Sequence, residues 1–178
     1  MKTAYIADTG VFVRCGGPDN QKFQRLRRAL QAAGVSLIIP QRVSEELGGD
    51  LAAAYPSGTV PYSDGFAEEW LTVADDLDYT NPLVSTVMDA ARRFIASETD
   101  RQEDRIEKTD TALVGLAAQL LASGDADHVV LLTTDKPAGL ATETLLPKHG
   151  FTEQVTYQYV SVEFLETVTA EDFAEPAE

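Results

Sequence analysis

The chain has 178 residues, a length within the range of one compact domain, and its 44% hydrophobic content is enough for a sizeable core. With 29 acidic against 14 basic residues the net charge is −15, so most carboxylates read as solvated surface, and only position on a fold can single one out. The single cysteine, Cys15, excludes an internal disulfide and a cysteine-based zinc site. No run of about 18 apolar residues suggests a membrane span.

In chain order, TAYIAD (3–8) reads as a buried strand ending in an acid. Residues 19–33 carry Phe23, Leu26, Leu30 and Ala33 at helical spacing, with Asp19 or Asn20 as cap and Gly34 past the end. VSLIIP (35–40) is a second buried strand closed by Pro40. A right-handed β-α-β crossover makes the two strands parallel. QRVSEEL (41–47) opens a helix near the mouth above the second strand.

From Gly48 the chain is turn-rich, and Pro56, Gly58, Pro61 and Gly65 predict an irregular, exposed connection. FAEEWLTVADDL and the amphipathic NPLVSTVMDAARRFIASET, with Val84, Val87, Met88, Ala91 and Ile95 on one face, are expected to form a helical hairpin beside the mouth. TDTALVGLAAQLLASG predicts a helix with Asp110 near its start, where the helix N-terminus favours an anion. DHVVLLTTD (127–135) is the clearest strand. Pro137 starts a helix to about Lys148, and VTYQYVSV (155–162) supplies another strand. This alternation implies a doubly wound α/β sheet. The expected organisation is one domain over 1–168, with a variable helical or irregular insertion at about 49–104 and a flexible acidic tail at 169–178.

Four acids, Asp8, Glu46, Asp110 and Asp135, fall at or beside the carboxyl ends of the predicted parallel strands. Ligands collect outside that edge of an open α/β sheet, so carboxylates gathered there read as a cation site and point to a metal-dependent hydrolase. Other constellations are weaker. His128 starts a strand at the opposite end of the sheet, and His149 sits at a helix end. GGPDN (16–20) lacks the spacing of a phosphate or dinucleotide loop. Trp70, Tyr157 and Tyr159 read as packing residues.

The segments YIADTGVFV, VSEEL, TDTALVGLAAQLL, LLTTD and VSVEFLETV, in this order and spacing, resemble the PIN-domain nucleases over most of the chain except roughly 49–104. The resemblance implies a PIN-like, Rossmann-like three-layer α/β/α fold with a mainly parallel sheet. It also implies Mg²⁺ or Mn²⁺ bound by Asp8, Glu46, Asp110 and Asp135, with Asp8 and Asp135 as direct ligands, and hydrolysis of RNA, less often DNA. Thr9 and Thr134 are expected as supporting hydroxyls. Two ions about 3.5 to 4 Å apart would stabilise both the attacking and the leaving oxygen of a phosphodiester displacement. Gly10 departs from the small polar residue common at its position in the family. Glu45 adjoins Glu46, and Glu46 is favoured because it precedes Leu47 in the family-like EL pair.

The toxin of a toxin–antitoxin pair is one role open to such a chain, with RNA as substrate, an antitoxin as protein partner and a homodimer as the expected assembly. The N-terminus, with Asp8 inside its first apolar run, does not read as a secretory signal, so a cytoplasmic location is expected. The acidic, lysine-poor composition resembles that of haloarchaeal proteins, where concentrated salt screens self-repulsion. Arg101, Arg105 and Lys108, just before Asp110, are the expected nucleic-acid contacts. The alternatives are a metal-dependent phosphatase, which usually needs a second acid two residues after the first, and a non-catalytic interaction protein on the same fold.

Overall fold

Five short aliphatic and β-branched runs assemble into one sheet in the computed structural model, which describes residues 2–54 and 68–174. They are β1 (Thr3–Ala7), β2 (Leu37–Ile39), β3 (Leu71–Val73), β4 (His128–Thr133) and β5 (Val155–Tyr159). The strand order is β3-β2-β1-β4-β5 and every neighbouring pair is parallel. Such sheets are covered on both faces, which is why β1 and β4 read as continuous apolar runs and not as alternating ones.

The helices are α1 (Thr9–Cys15), α2 (Gln21–Ala33), α3 (Gln41–Ala54), α4 (Pro82–Thr99), α5 (Lys108–Ser123), α6 (Lys136–Lys148) and α7 (Val162–Thr167). Two buried clusters divide them into layers. Phe12, Phe23, Leu26, Leu30, Val43 and Leu165 join α1, α2, α3 and α7 to one face. Val87, Ala91, Ile95, Leu113, Leu116 and Leu146 join α4, α5 and α6 to the other. The fold is therefore the expected three-layer α/β/α arrangement, with the sheet wholly parallel. Among the described residues no helix is long and apolar enough to cross a membrane.

Several local expectations change. The expected helical hairpin does not form, because Leu71–Val73 becomes the edge strand β3, with Leu71 opposite Leu37. Trp70 carries that segment inward, packing edge-on against Phe23 at 5.7 Å between ring centroids. Helix α3 continues through Gly48 and Gly49 to Ala54, and the expected irregular connection at 55–67 lies outside the described residues. The last strand stops at Tyr159, and Ser161, accepting from the Phe164 N–H at 3.0 Å, starts α7 where a strand was expected.

Residues 169–173, expected in a flexible tail, also pack into the fold. Ala170–Phe173 forms a 3-10 turn whose Phe173 is 2% exposed and meets Tyr5 edge-on at 5.4 Å. On the other face α6 approaches β5 closely at Gly139, where a Cβ would lie 2.4 Å from the Tyr157 ring. Glu143 of the same helix accepts the Tyr157 backbone N–H at 3.0 Å.

The strand order reverses at β1 and β4. The chain leaving β1 runs into α1 and α2 on one face, and the chain leaving β4 runs into α6 on the other. A crevice opens between such diverging connections at the carboxyl edge of the sheet.

Candidate metal centre

Asp8 ends β1 and caps α1. One carboxylate oxygen, Oδ1, accepts the Val11 N–H at 3.1 Å. The other, Oδ2, accepts the Thr134 N–H at 3.1 Å and the Thr133 hydroxyl. Asp8 is only 6% exposed. Burial raises its pKa, the three hydrogen bonds pull it down, and the nearby Asp135 charge adds to the rise. Asp135, across the crevice, caps α6 by accepting the Ala138 N–H at 3.4 Å.

Asp110 stands in the first turn of α5. Its pKa is pushed up to about 7, first by burial, then by the charges of Asp135, Glu107 and Asp8, and last by a hydrogen bond with Asp135. A helix N-terminus favours an anion, so crowding and burial outweigh the dipole here. Glu46, half-buried on α3, joins from the α5 side: its Oε2 accepts the Thr9 hydroxyl and its Oε1 the Thr109 hydroxyl. Its carboxylate is therefore tied to the neighbours of both Asp8 and Asp110.

Asp8, Asp110 and Asp135 thus act on one another at the mouth between β1 and β4, and Glu46 is braced against their flanks. Glu45, by contrast, is exposed and lines a separate cavity of about 400 Å³ with Arg42, Asp75 and Tyr79. Among the described residues no group of three or more His, Cys, Asp or Glu side chains is arranged to hold an ion as it stands. Glu46 is committed to two hydroxyls and Asp8 to three donors.

The donor chemistry nevertheless fits a hard divalent ion. The set is all oxygen, and the repulsion that adds to burial in lifting Asp110 is what a bound cation relieves.

The expected supporting hydroxyls divide. Thr9 donates its hydroxyl to Glu46, whereas Thr134 reaches Asp8 through its backbone N–H. The hydroxyl on Asp8 belongs to Thr133, and a second on Glu46 to Thr109. Neither was singled out from the sequence, although each lies within two residues of a candidate acid. Gly10 is explained by space: a Cβ there would lie 1.9 Å from Thr134 Oγ1.

Arg101 and Arg105, ahead of α5, and Lys108, its first residue, are exposed and engage no ion pair among the described residues. Cys15 is buried and its thiol is pushed up to about 12, which leaves it unreactive. His128 stands at the start of β4, at the far edge of the sheet, and His149 follows α6.

No curated protein and no solved structure matches the chain. A family model described as the Halobacterial PIN domain matches residues 1–173, which span every strand and reach the buried Phe173. With a wholly parallel sheet and three acids interacting at its switch point, the chain belongs to the halobacterial PIN-domain family.

Proposed function

We propose that the chain is a divalent-metal-dependent endoribonuclease. Proteins of this family are typically nucleases. The observation that carries the reading is the mutual electrostatic influence of Asp8, Asp110 and Asp135 at the carboxyl edge of β1 and β4. Acids gathered at a switch point suit a cation-assisted reaction on an anionic substrate, and a surface role alone does not explain the burial of Asp8.

Asp8, Glu46, Asp110 and Asp135 would hold Mg²⁺ or Mn²⁺. When bound, such an ion supplies charge stabilisation for in-line hydrolysis of a phosphodiester and lowers the pKa of water. The protein's own part is orientation. Hydrogen bonds from Val11, Thr133 and Thr134 fix the Asp8 carboxylate, and Thr9 and Thr109 fix that of Glu46. Asp110 holds its proton toward Asp135 up to about neutral pH, so loading the site requires that proton to leave.

The toxin role, an antitoxin partner, a homodimer and a cytoplasmic site of action belong to the same proposal and rest on the family resemblance. The test is cleavage of a labelled single-stranded RNA in molar KCl with Mn²⁺, comparing wild type with Asp135→Asn. Asn remains a good helix cap, so the variant isolates the lost charge from the fold. Cleavage should fall at least about a hundredfold, a loss on the scale of other groups that stabilise charge in a transition state. Wild-type rates in the variant would remove Asp135 from the site, and RNA left intact by wild type would sink the nuclease reading. For the toxin role, expression in a salt-adapted host should arrest growth, and unimpaired growth counts against it.

A further inference from the structure

Tyr159, the last residue of β5, ends at the same edge of the sheet as the acids and gathers two cations. Lys136, the residue after Asp135, holds its Nζ 4.8 Å from the Tyr159 ring centroid, and the Arg14 guanidinium carbon lies 5.7 Å from it. Arg14, in the last turn of α1, donates through Nη1 to the Val160 carbonyl at 2.7 Å and to the Tyr159 hydroxyl at 3.3 Å. Among the described residues no acceptor engages its Nε or Nη2, and neither cation has a carboxylate partner. Two cations gathered at one ring beside Asp135, one of them anchored with the rest of its fork open, present a site for an anion from outside.

We propose that Arg14 and Lys136, fixed by Tyr159, bind a backbone phosphate of single-stranded RNA next to the bond cut at the acids. This rests on the nuclease reading and extends it to the substrate's path, toward β5. The half-buried Arg14 is already anchored at Nη1, so its free fork can meet two phosphate oxygens with little ordering cost. Exposed Lys136, held over the Tyr159 ring, adds a point charge. In molar salt long-range attraction is screened to about 3 Å, so directional hydrogen bonds of this kind retain more of their effect than diffuse charge does.

The experiment measures binding of a fluorescein-labelled single-stranded RNA of mixed sequence to the full chain in EDTA, across a KCl series. Lys136→Gln should weaken affinity about fivefold to tenfold and lower the dependence of log affinity on log salt by about 0.7, the value for one lost contact on a single strand. Arg14→Lys should weaken affinity similarly and leave the salt dependence in place. Lys148→Gln, at the far end of α6, serves as a charge-matched control and should bind as wild type. In the Mn²⁺ cleavage assay Lys136→Gln should raise KM and leave kcat within about twofold, the pattern of lost substrate binding.

Wild-type binding by both site variants, an equal loss in Lys148→Gln, or no metal-free binding by wild type would each overturn the phosphate site. Variant effects as expected in a wild type that cleaves no RNA would leave the phosphate site standing and sink the nuclease reading. Cleavage by wild type with unaltered binding in both variants would do the reverse.

Discussion

Replacing Asp110 with Asn should stabilise the metal-free protein, and the gain should grow with pH. A carboxyl that titrates at an ordinary 3.8 when unfolded and at about 7 when folded binds its proton more tightly in the native state. Between those two values the native state holds more protons than the unfolded one, so wild-type stability falls as pH rises through that window. Above it the penalty is complete. At about 1.4 kcal/mol per pH unit it comes to about 4.5 kcal/mol, and solvent access to the half-buried group together with concentrated salt reduces this to roughly 2 kcal/mol.

Asn keeps the shape and an N–H that can donate to Asp135, so the hydrogen bond in the pair survives while the charge is lost. Urea melts of both proteins at fixed molar KCl in EDTA, at intervals from pH 4 to pH 8, measure the difference directly. The two should be nearly equal at pH 4 and diverge by pH 8 in favour of the variant. Adding Mg²⁺ at pH 8 should narrow the gap, because the ion stabilises only the chain that keeps the ligand. A difference that does not change with pH, or a variant less stable throughout, would refute the picture of a crowded, proton-holding Asp110.

Two other outcomes follow from the same structure. With net charge −15, the thermal midpoint should rise with KCl, and Mg²⁺ should add to it at fixed KCl; a midpoint flat or falling with salt would refute the salt-adapted reading. Gly10→Ala drives a methyl group against Thr134 Oγ1 and should cost about 1–2 kcal/mol by urea melts. Adding Thr134→Ala should recover about half of that loss, and strictly additive effects of the two substitutions would show that the contact is not the reason for the glycine.

The elements that could be read from the chain are those whose burial leaves a local trace. Strands β1 and β4 are apolar throughout because helices cover both faces, and α5 has its apolar run and an acid in the first turn. Elements defined by distant partners left no such trace. TGVFVRC, rich in strand-favouring Val and Phe, is a helix because Asp8 caps it and Val11, Phe12 and Cys15 find a core to enter. Segment 71–73 is a strand only because β2 lies beside it.

The candidate site divides in the same way. The places of Asp8 and Asp135 just past strand ends could be read from the chain. The hydroxyl partners of the acids could not, since Thr133 meets Asp8 from 125 positions away and Thr109 meets Glu46 from 63. Acidic composition around Phe173 concealed a buried anchor. Asp8 also proves to be more than a candidate ligand: with donors on both oxygens, Asp8→Asn would set an amide N–H₂ against another donor and weaken the fold. Asp135→Asn is the cleaner substitution for that reason.

The two margins of the sheet bear on edge-to-edge pairing. Concentrated salt removes the charge repulsion that keeps acidic proteins apart in dilute buffer, and an open strand margin is then a template for pairing with another molecule. Here one margin, β3, offers only three residues. The other, β5, is longer, but its central outward N–H at Tyr157 is already taken by Glu143 from α6. Replacing that glutamate would free a backbone donor at a place where ionic repulsion cannot guard it. The hydrogen bonding of the sheet's margins therefore limits strand-to-strand pairing independently of the surface charge.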